Sequence, residues 1–333
     1  MRTHSLLSRI DASGEYRSPN VAHMSFTVTD AFVQDFSGVV RELAQQRTSR
    51  LSATVLTDNI TGESAYLEQL APTSARKVMQ RHGDSPVMNS QHLRRRIAPY
   101  DYQWGDLVDK LDKVRMLIDP TSAYTRNAGF AMNRAKDDEI IGSFWATAFT
   151  GHSGSTSVTW PNGNAEGLVT MPPGTQIPVN DWTYGNGSGN AGLTISKLIY
   201  AMVVLDQAEG DDEDEERYVL IGGKQKGNLL ATTEATLMEF GVAKEDLAPL
   251  REGKIARILG FNVLHSERNQ LNGSSQARIP AWRKNAMGLG IARDIETRIA
   301  ERPDKSFSWY VFASMAIGAS RLEEPKLAEI ICV

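Results

Sequence analysis

Residues 50–110 constrain what this chain can fold into more than any other stretch. The segment 51–70 predicts a strand, a turn at Thr61-Gly62 and a second strand, and the segment 94–104 predicts a further extended piece. The residues between them are polar, and the whole stretch has few apolar residues. An isolated two-stranded ribbon is only marginally stable in water. We therefore expect this stretch to be supported by a surface outside itself.

The strongest helical pattern in the chain follows, over about 120–150. Apolar residues from Tyr124 to Phe149 recur at spacings of three and four. Asp119 can cap this helix and Pro120 suits its first position. The pattern predicts a rod of roughly 45 Å. Its polar side is predicted to consist of Arg126, Arg134, Lys136, Asp137, Asp138 and Glu139.

The rest of the chain mixes short helices and strands. A short helix capped by Asp30 is predicted over about 30–46, and a second helix over about 194–208. The segment 151–192 between the two longer helices is rich in Gly, Ser and Asn, which predicts turns and a flexible joint. The second helix should turn Leu198, Ile199, Met202, Val203 and Leu205 inward.

The last third of the chain alternates strand and helix signals, which predicts an α+β protein with mostly antiparallel, segregated elements. Strands are predicted at 218–221, 308–317 and 328–331, and a helix at 229–240. Residues 255–266 are predicted to form either a pair of strands or one strand bent at Gly260.

Composition excludes several classes of protein. A pI near 5.9 and a net charge of -4 argue against a free-standing nucleic-acid binder. No apolar run approaches the ~18 residues that span a bilayer, and the first residues lack the apolar core of a secretory signal. Cys332 is the only cysteine, so no internal disulfide can form and we expect a packed terminal thiol. These features favour a cytosolic protein.

The sequence predicts no catalytic, cofactor-binding or metal-ligating residue. The six histidines form no helical zinc pair, and there is no Gly-x-Ser-x-Gly nucleophile motif. The turn at 222–227 follows a strand and precedes a helix, so it is either an ordinary turn or a site for an anionic substrate. The glycines of 185–192 predict a hinge rather than a dinucleotide site.

Two runs of like charge stand out. Arg94, Arg95 and Arg96 form a basic cluster on the extended piece, which indicates either a subunit contact or a solvated strand edge that prevents aggregation. The acidic run 211–216 is a solvated loop, a Ca²⁺ ligand or a charged subunit contact. Opposite charge makes the two runs complementary.

The order of these segments resembles that of the major capsid proteins of tailed double-stranded DNA phages, which share the Hong Kong 97-like fold. Residues 104–122 resemble the entry into the family's spine helix, and 128–151 resemble that helix and its end. Residues 193–206 are similar to the second helix, and 217–221 followed by 253–266 resemble a run of strand, helix and Gly-Phe strand.

The resemblance implies an α+β fold with four parts. These are an N-terminal arm at 1–48, an extended E-loop at 49–112, a peripheral P-domain at 113–190 and 290–320 with its spine helix at about 120–150, and an axial A-domain at 191–289 and 321–333.

The resemblance also implies a structural, non-enzymatic protein of the virion. Its copies would form the hexamers and pentamers of an icosahedral head that encloses double-stranded DNA, and would be assembled in the host cytoplasm by way of a procapsid. A separate scaffolding protein and a portal protein are the expected partners, and a decoration protein is a further candidate. Contact with DNA is expected to be non-specific, with no cofactor and no membrane. An encapsulin-like compartment subunit and a soluble α+β enzyme acting on an anionic substrate remain as alternatives.

Interface residues are predicted in place of catalytic ones. We expect the apolar residues of the ribbon, from Val55 to Trp104, to be buried on a neighbouring subunit. We also expect charge reversal of the three arginines to impair assembly while leaving the monomer folded, and Trp104→Ala to weaken contacts between subunits more than the stability of the subunit. The predicted interface residues are Arg94, Arg95, Arg96, Tyr100, Trp104, Tyr66, Asp211, Asp212 and Glu213.

Overall fold

The computed structural model describes residues 45–108 with gaps at 72, 78, 80–84, 86 and 89, together with 121–161, 171–180, 189–208, 215–239 and 255–333. Over these residues the chain forms three helices and fourteen strands, which confirms the α+β class. The predicted helix at 30–46 lies outside this part except for its last two residues, which are not helical. Also outside it are Asp119, Pro120, Asp211, Asp212 and Glu213.

A long helix on a long sheet forms one half of the protein. The sheet has the strand order β1-β12-β13-β4, in which β12 and β13 form an antiparallel hairpin and β1 joins β12 in parallel. Phe144 and Met132 of the helix pack with Met315 and Ile317 of the sheet in one core. The elements are α1 (Thr121–Trp145), β1 (Leu56–Asn59), β4 (Tyr100–Val108), β12 (Met287–Arg302) and β13 (Ser308–Arg321).

The helix α1 is shorter than predicted. It ends at Trp145, and Phe149 lies instead in the strand β5 (Ala148–Thr150). The apolar spacing continues past the end of the helix, but the backbone there pairs with Arg95 and Arg96. The apolar spacing at this point is compatible with a helix or with a strand, and pairing with β3 decides in favour of a strand.

The predicted polar side of α1 is also partly wrong, because Lys136 and Asp137 are buried. Asp137 is 2% exposed and binds the segment 46–50, which precedes the first strand. Its carboxylate accepts hydrogen bonds from the Ser49 hydroxyl at 2.5 Å, the Arg50 backbone N–H at 3.0 Å and the Gln46 side-chain amide. The start of the described chain is therefore tied to the middle of α1.

We expect Asp137→Ala to lower the free energy of unfolding by about 1–3 kcal/mol, because it leaves several buried donors without an acceptor. Urea unfolding of the unassembled subunit measures this loss. Asp138→Ala is the matched control, since Asp138 is exposed and its partner Arg268 can return to water. An equal loss from both substitutions would contradict this role for Asp137.

A six-stranded sheet flanked by two helices forms the other half, with the order β7-β14-β11-β8-β10-β9. Its core includes Phe261, Ile279 and Leu198. The elements are β7 (Gln176–Ile177), α2 (Ile195–Gln207), β8 (Arg217–Ile221), α3 (Gly223–Glu239), β9 (Arg257–Ile258), β10 (Phe261–His265), β11 (Ala277–Arg283) and β14 (Leu327–Cys332).

Most predictions for this half are confirmed. Gly260, at φ +79°, turns β9 back against β10, so the pair of strands is the alternative that forms. Cys332 is fully buried, and burial raises the pKa of its thiol to about 11, so it is the packed terminal thiol that the sequence predicts. The prediction for Ile199 is wrong, since its side chain is exposed and Ala201 and Val204 are buried instead.

A small third sheet connects the extended ribbon to the end of α1. Its order is β2 (Ala65–Leu70), β3 (His92–Ile97), β5 and β6 (Thr156–Val158). The ribbon therefore does not form a hairpin of β1 with β2. Gly62, at φ +107°, turns the chain between them, and β1 enters the long sheet while β2 pairs with β3.

Part of the apolar surface that was expected to be buried by a neighbouring subunit is buried by the chain itself. Val55, Ile60 and Ile97 are buried within the subunit, which corrects the prediction for these three residues. Ile60 and Ile97 form a cluster with Leu322, against which Leu67 packs. The base of the ribbon, at Val55, Ile60 and Ile97, is thus buried in its own subunit.

Candidate subunit interface

The three arginines of β3 have different surroundings because successive side chains of a strand point to opposite faces. Arg95 shares the buried face with Leu93 and Ile97 and is 3% exposed. Its guanidinium forms an ion pair with the buried Glu324 and donates to the Leu322 carbonyl at 3.2 Å. Arg95 is therefore part of the subunit core and not of the exposed basic cluster.

Arg94 and Arg96 lie on the partly exposed face of β3. Arg94 forms an ion pair with Glu68 on β2 at 2.7 Å, and both side chains are accessible to water. Exposed pairs of this kind contribute ~0–1 kcal/mol to stability. Arg96 forms no ion pair within the described residues, and its Nε is buried without a hydrogen-bond acceptor.

Two aromatic side chains flank Arg96 in a row across the small sheet. Strand pairing places Tyr66 opposite Arg96 on one side and Phe149 opposite it on the other. Tyr66 and Phe149 are each 41% exposed. Directly paired residues of an antiparallel ladder share one face, so these three side chains form a continuous surface. Tyrosine, arginine and phenylalanine are enriched at protein interfaces.

Phe149 is the member of this row that the sequence did not predict. Its spacing from the residues of α1 placed it on the buried side of a helix, and no local signal marks the start of β5. Tyr66, Arg96 and the exposed Tyr100, by contrast, were predicted interface residues.

Trp104 has a different environment from Tyr100. It lies on β4 opposite Ala313 of β13 and packs against the core beneath α1. Part of this indole is therefore buried within the subunit, and its role at a contact between subunits stays a prediction. Asp211, Asp212 and Glu213 remain predictions, because they lie outside the described residues.

We expect Trp104→Ala to lower the free energy of unfolding of the unassembled subunit by about 1–3 kcal/mol, which is less than the loss of a fully buried Trp because the ring is only partly covered. Thermal unfolding of the subunit measures this. Tyr100→Ala is the control on the same strand, since Tyr100 is exposed. Unchanged subunit stability together with failed assembly would place the role of Trp104 at a contact between subunits.

The segment beyond β2 exposes apolar side chains. Met79 is 84% exposed and Val87 is 86% exposed, and Leu70 at the end of β2 is also exposed. Large apolar side chains that stay exposed on one subunit are candidates for a contact with another protein.

The alternative of a site for an anionic substrate is not favoured by the geometry. The predicted turn is the first turn of α3, and the Gly223 backbone N–H donates to a carboxylate oxygen of Glu267 at 2.6 Å. An anion at this helix start would have to displace the chain's own carboxylate.

Neither a metal site nor a membrane helix emerges from the described part of the chain. No group of His, Cys, Asp and Glu there is arranged to hold a metal ion. Within the described ranges, no helix has both the length and the apolar character that crossing a membrane requires.

Comparison with known proteins points to one family. The family model for phage capsid protein matches residues 28–333. A search of curated protein sequences finds no match.

Solved phage capsid structures share this fold, and so does the capsid of a GTA particle. The capsid of cyanophage P-SCSP1u superposes with a TM-score of 0.66 at 16% identity, covering 96% of this chain and 99% of that one. The capsid of a native GTA particle gives a TM-score of 0.62 at 14% identity, covering 94% and 99%. The head structure of Helicobacter pylori bacteriophage KHP40 gives 0.63 at 10% identity, also covering 94% and 99%.

Proposed function

Because the chain belongs to the phage capsid protein family, we propose that its copies form the hexamers and pentamers of an icosahedral head that encloses double-stranded DNA. Family membership makes the protein a structural component of the phage head that self-assembles, and not an enzyme. A viral shell is favoured over an encapsulin-like compartment on the same ground.

One observation carries the proposal for how the subunits join. The extension beyond β2 and β3 exposes Met79 and Val87 almost completely, while the base of the same ribbon is fixed in the subunit through Arg95 and Ile97. An apolar segment held away from its own core gains by lying on a neighbouring copy. Repetition of this contact around a capsomer adds avidity.

The division of the chain follows the same proposal. Residues 1–48 would be an N-terminal arm and 49–112 the E-loop that reaches a neighbour. The long helix and hairpin support a peripheral P-domain at 113–190 and 290–320. The six-stranded sheet supports an axial A-domain at 191–289 and 321–333.

The expected partners follow from the role in the head. A separate scaffolding protein and a portal protein would act with this chain, with a decoration protein as a further candidate. Assembly would take place in the host cytoplasm. Packaged DNA would be contacted non-specifically, and a net charge of -4 is in keeping with weak contact. A procapsid would precede the mature head, with the Gly-rich segment 185–192 as a hinge.

Size and shape of the expressed protein test this function. The chain is produced alone and together with the other head proteins of its phage, and is examined by size-exclusion chromatography and electron microscopy. We expect hexamers, pentamers or closed shells in at least one of the two preparations. A monomer or small oligomer in both would refute the proposal.

A further inference from the structure

A cavity of about 480 Å³ lies where the ribbon meets the end of α1. The strands β3 and β4, the last turns of α1, β5 and β13 all contribute to its walls. Its lining includes Arg96, Tyr100, Glu139, Gly142, Phe149 and Ser320. The cavity therefore adjoins the row of Tyr66, Arg96 and Phe149 and is continuous with the candidate interface.

The cavity lining carries one cation, Arg96, and one carboxylate, Glu139, and no ion pair joins them. Arg94 and Arg95 have carboxylate partners in Glu68 and Glu324, whereas Arg96 has none among the described residues. Its Nε–H is shielded from water and has no acceptor. The acidic group on the opposite wall, Glu139, accepts a hydrogen bond from the Tyr102 hydroxyl. The Arg96 guanidinium therefore has no carboxylate partner among the described residues.

Such a site recognises a carboxylate. A guanidinium donates two parallel hydrogen bonds to a carboxylate and does so best where water is excluded. The half-exposed ring of Phe149 adds an apolar wall for the side chain that carries it. A partly exposed arginine between aromatic rings is also the composition of a binding hot spot.

We propose that this cavity binds an Asp or Glu side chain of a second copy of the chain. The inference rests on the proposed function, since a shell places identical copies side by side. The chain is rich in possible donors, with 40 acidic against 36 basic residues, and every copy supplies one site and one partner. The site is continuous with the surface that the extension leaves for subunit contact, which favours a second copy over an unrelated partner.

Site-specific photocross-linking identifies the occupant. The photoreactive residue p-benzoylphenylalanine replaces Phe149, and assembled particles are irradiated and analysed by denaturing gel and mass spectrometry. We expect a product of twice the subunit mass that joins position 149 to a peptide containing Asp or Glu. The same photoreactive residue in place of Phe307, which is 54% exposed at the far end of the β12–β13 hairpin, is the control and should not link to that peptide.

Cross-links confined to one chain, to another head protein or to a segment without an acidic residue would overturn the proposal. Failure of the unmodified chain to form any particle refutes the proposed function and the site together. Particles without the expected cross-link refute only the site.

Substitution of the arginine gives a second measurement that does not depend on the cross-linker. Arg96→Gln should lower the yield of particles at least tenfold with an unchanged melting temperature of the subunit, and Arg96→Lys should lower it less because the positive charge remains. Arg94→Gln is the matched control, because Arg94 lies two residues before Arg96 on the same face of β3. Its particle yield should stay within twofold of the wild type, since its partner Glu68 is exposed and lies in the same subunit. Wild-type yield from Arg96→Gln would overturn the proposal.

Discussion

Arg321→Met is expected to lower the free energy of unfolding of the subunit by about 3–5 kcal/mol, because it breaks a buried charged network. Arg321 is fully buried and donates to the backbone carbonyls of Phe144 and Val158, each at 2.9 Å, and to that of Ala146. It therefore satisfies carbonyls at the end of α1 that have no partner within the helix.

The same substitution leaves a second group uncompensated. Glu324 is buried 3.8 Å from the Arg321 guanidinium and also pairs with Arg95. Burial lowers the pKa of Arg321 to about 10, which still leaves it charged at neutral pH. Burial raises the pKa of Glu324, so this carboxyl depends on both arginines to stay ionised. Loss of Arg321 thus weakens the link between α1, β13 and the base of the ribbon.

Urea unfolding of the unassembled subunit measures the effect of Arg321→Met. Arg298→Met is the matched control, because Arg298 lies on β12 of the same sheet and pairs with Glu296 at the surface. Its cost should stay below about 1 kcal/mol. A small loss from Arg321→Met would mean that the carbonyls at the end of α1 find other donors.

The arginines of β3 show how far the sequence alone can be interpreted. Their position on an extended piece was predicted correctly, but all three were treated as one exposed cluster. The alternation of a strand already separates them, because Arg95 falls on the same face as Leu93 and Ile97. Its ion pair with Glu324 could not be predicted, since the two residues meet only through the fold.

The sheets were harder to predict than the helices for a similar reason. The helix α1 is determined by contacts within a few residues, so its existence was predictable even though its end was not. The strand β1 instead pairs in parallel with β12, more than two hundred residues further along the chain. Nothing local distinguishes that partner from β2, which follows after a short turn.

Replacing residues 72–90 with the two-residue turn Asn-Gly is expected to abolish assembly while leaving the subunit folded. The Ala71 backbone N–H donates to the Gln91 carbonyl at 2.9 Å, so the β2–β3 ladder continues up to the point of the deletion and a two-residue turn can close it. The variant removes Met79 and Val87, the apolar groups proposed to lie on a neighbour. Electron microscopy and sedimentation of the purified variant measure assembly.

The stability of the same variant decides whether the extension acts between subunits or within one. Shortening this loop about tenfold lowers the entropic cost of closing it, which stabilises the free subunit by up to about 2 kcal/mol if the extension has no contacts of its own.

The double substitution Met79→Ser with Val87→Ser keeps the length of the loop and should also reduce particle yield, because the apolar contact is lost. A large fall in melting temperature of the turn variant would show that the extension supports its own subunit. Normal shells from the turn variant would mean that neighbouring copies are joined by other surfaces, with the Arg96 row as the first to be tested.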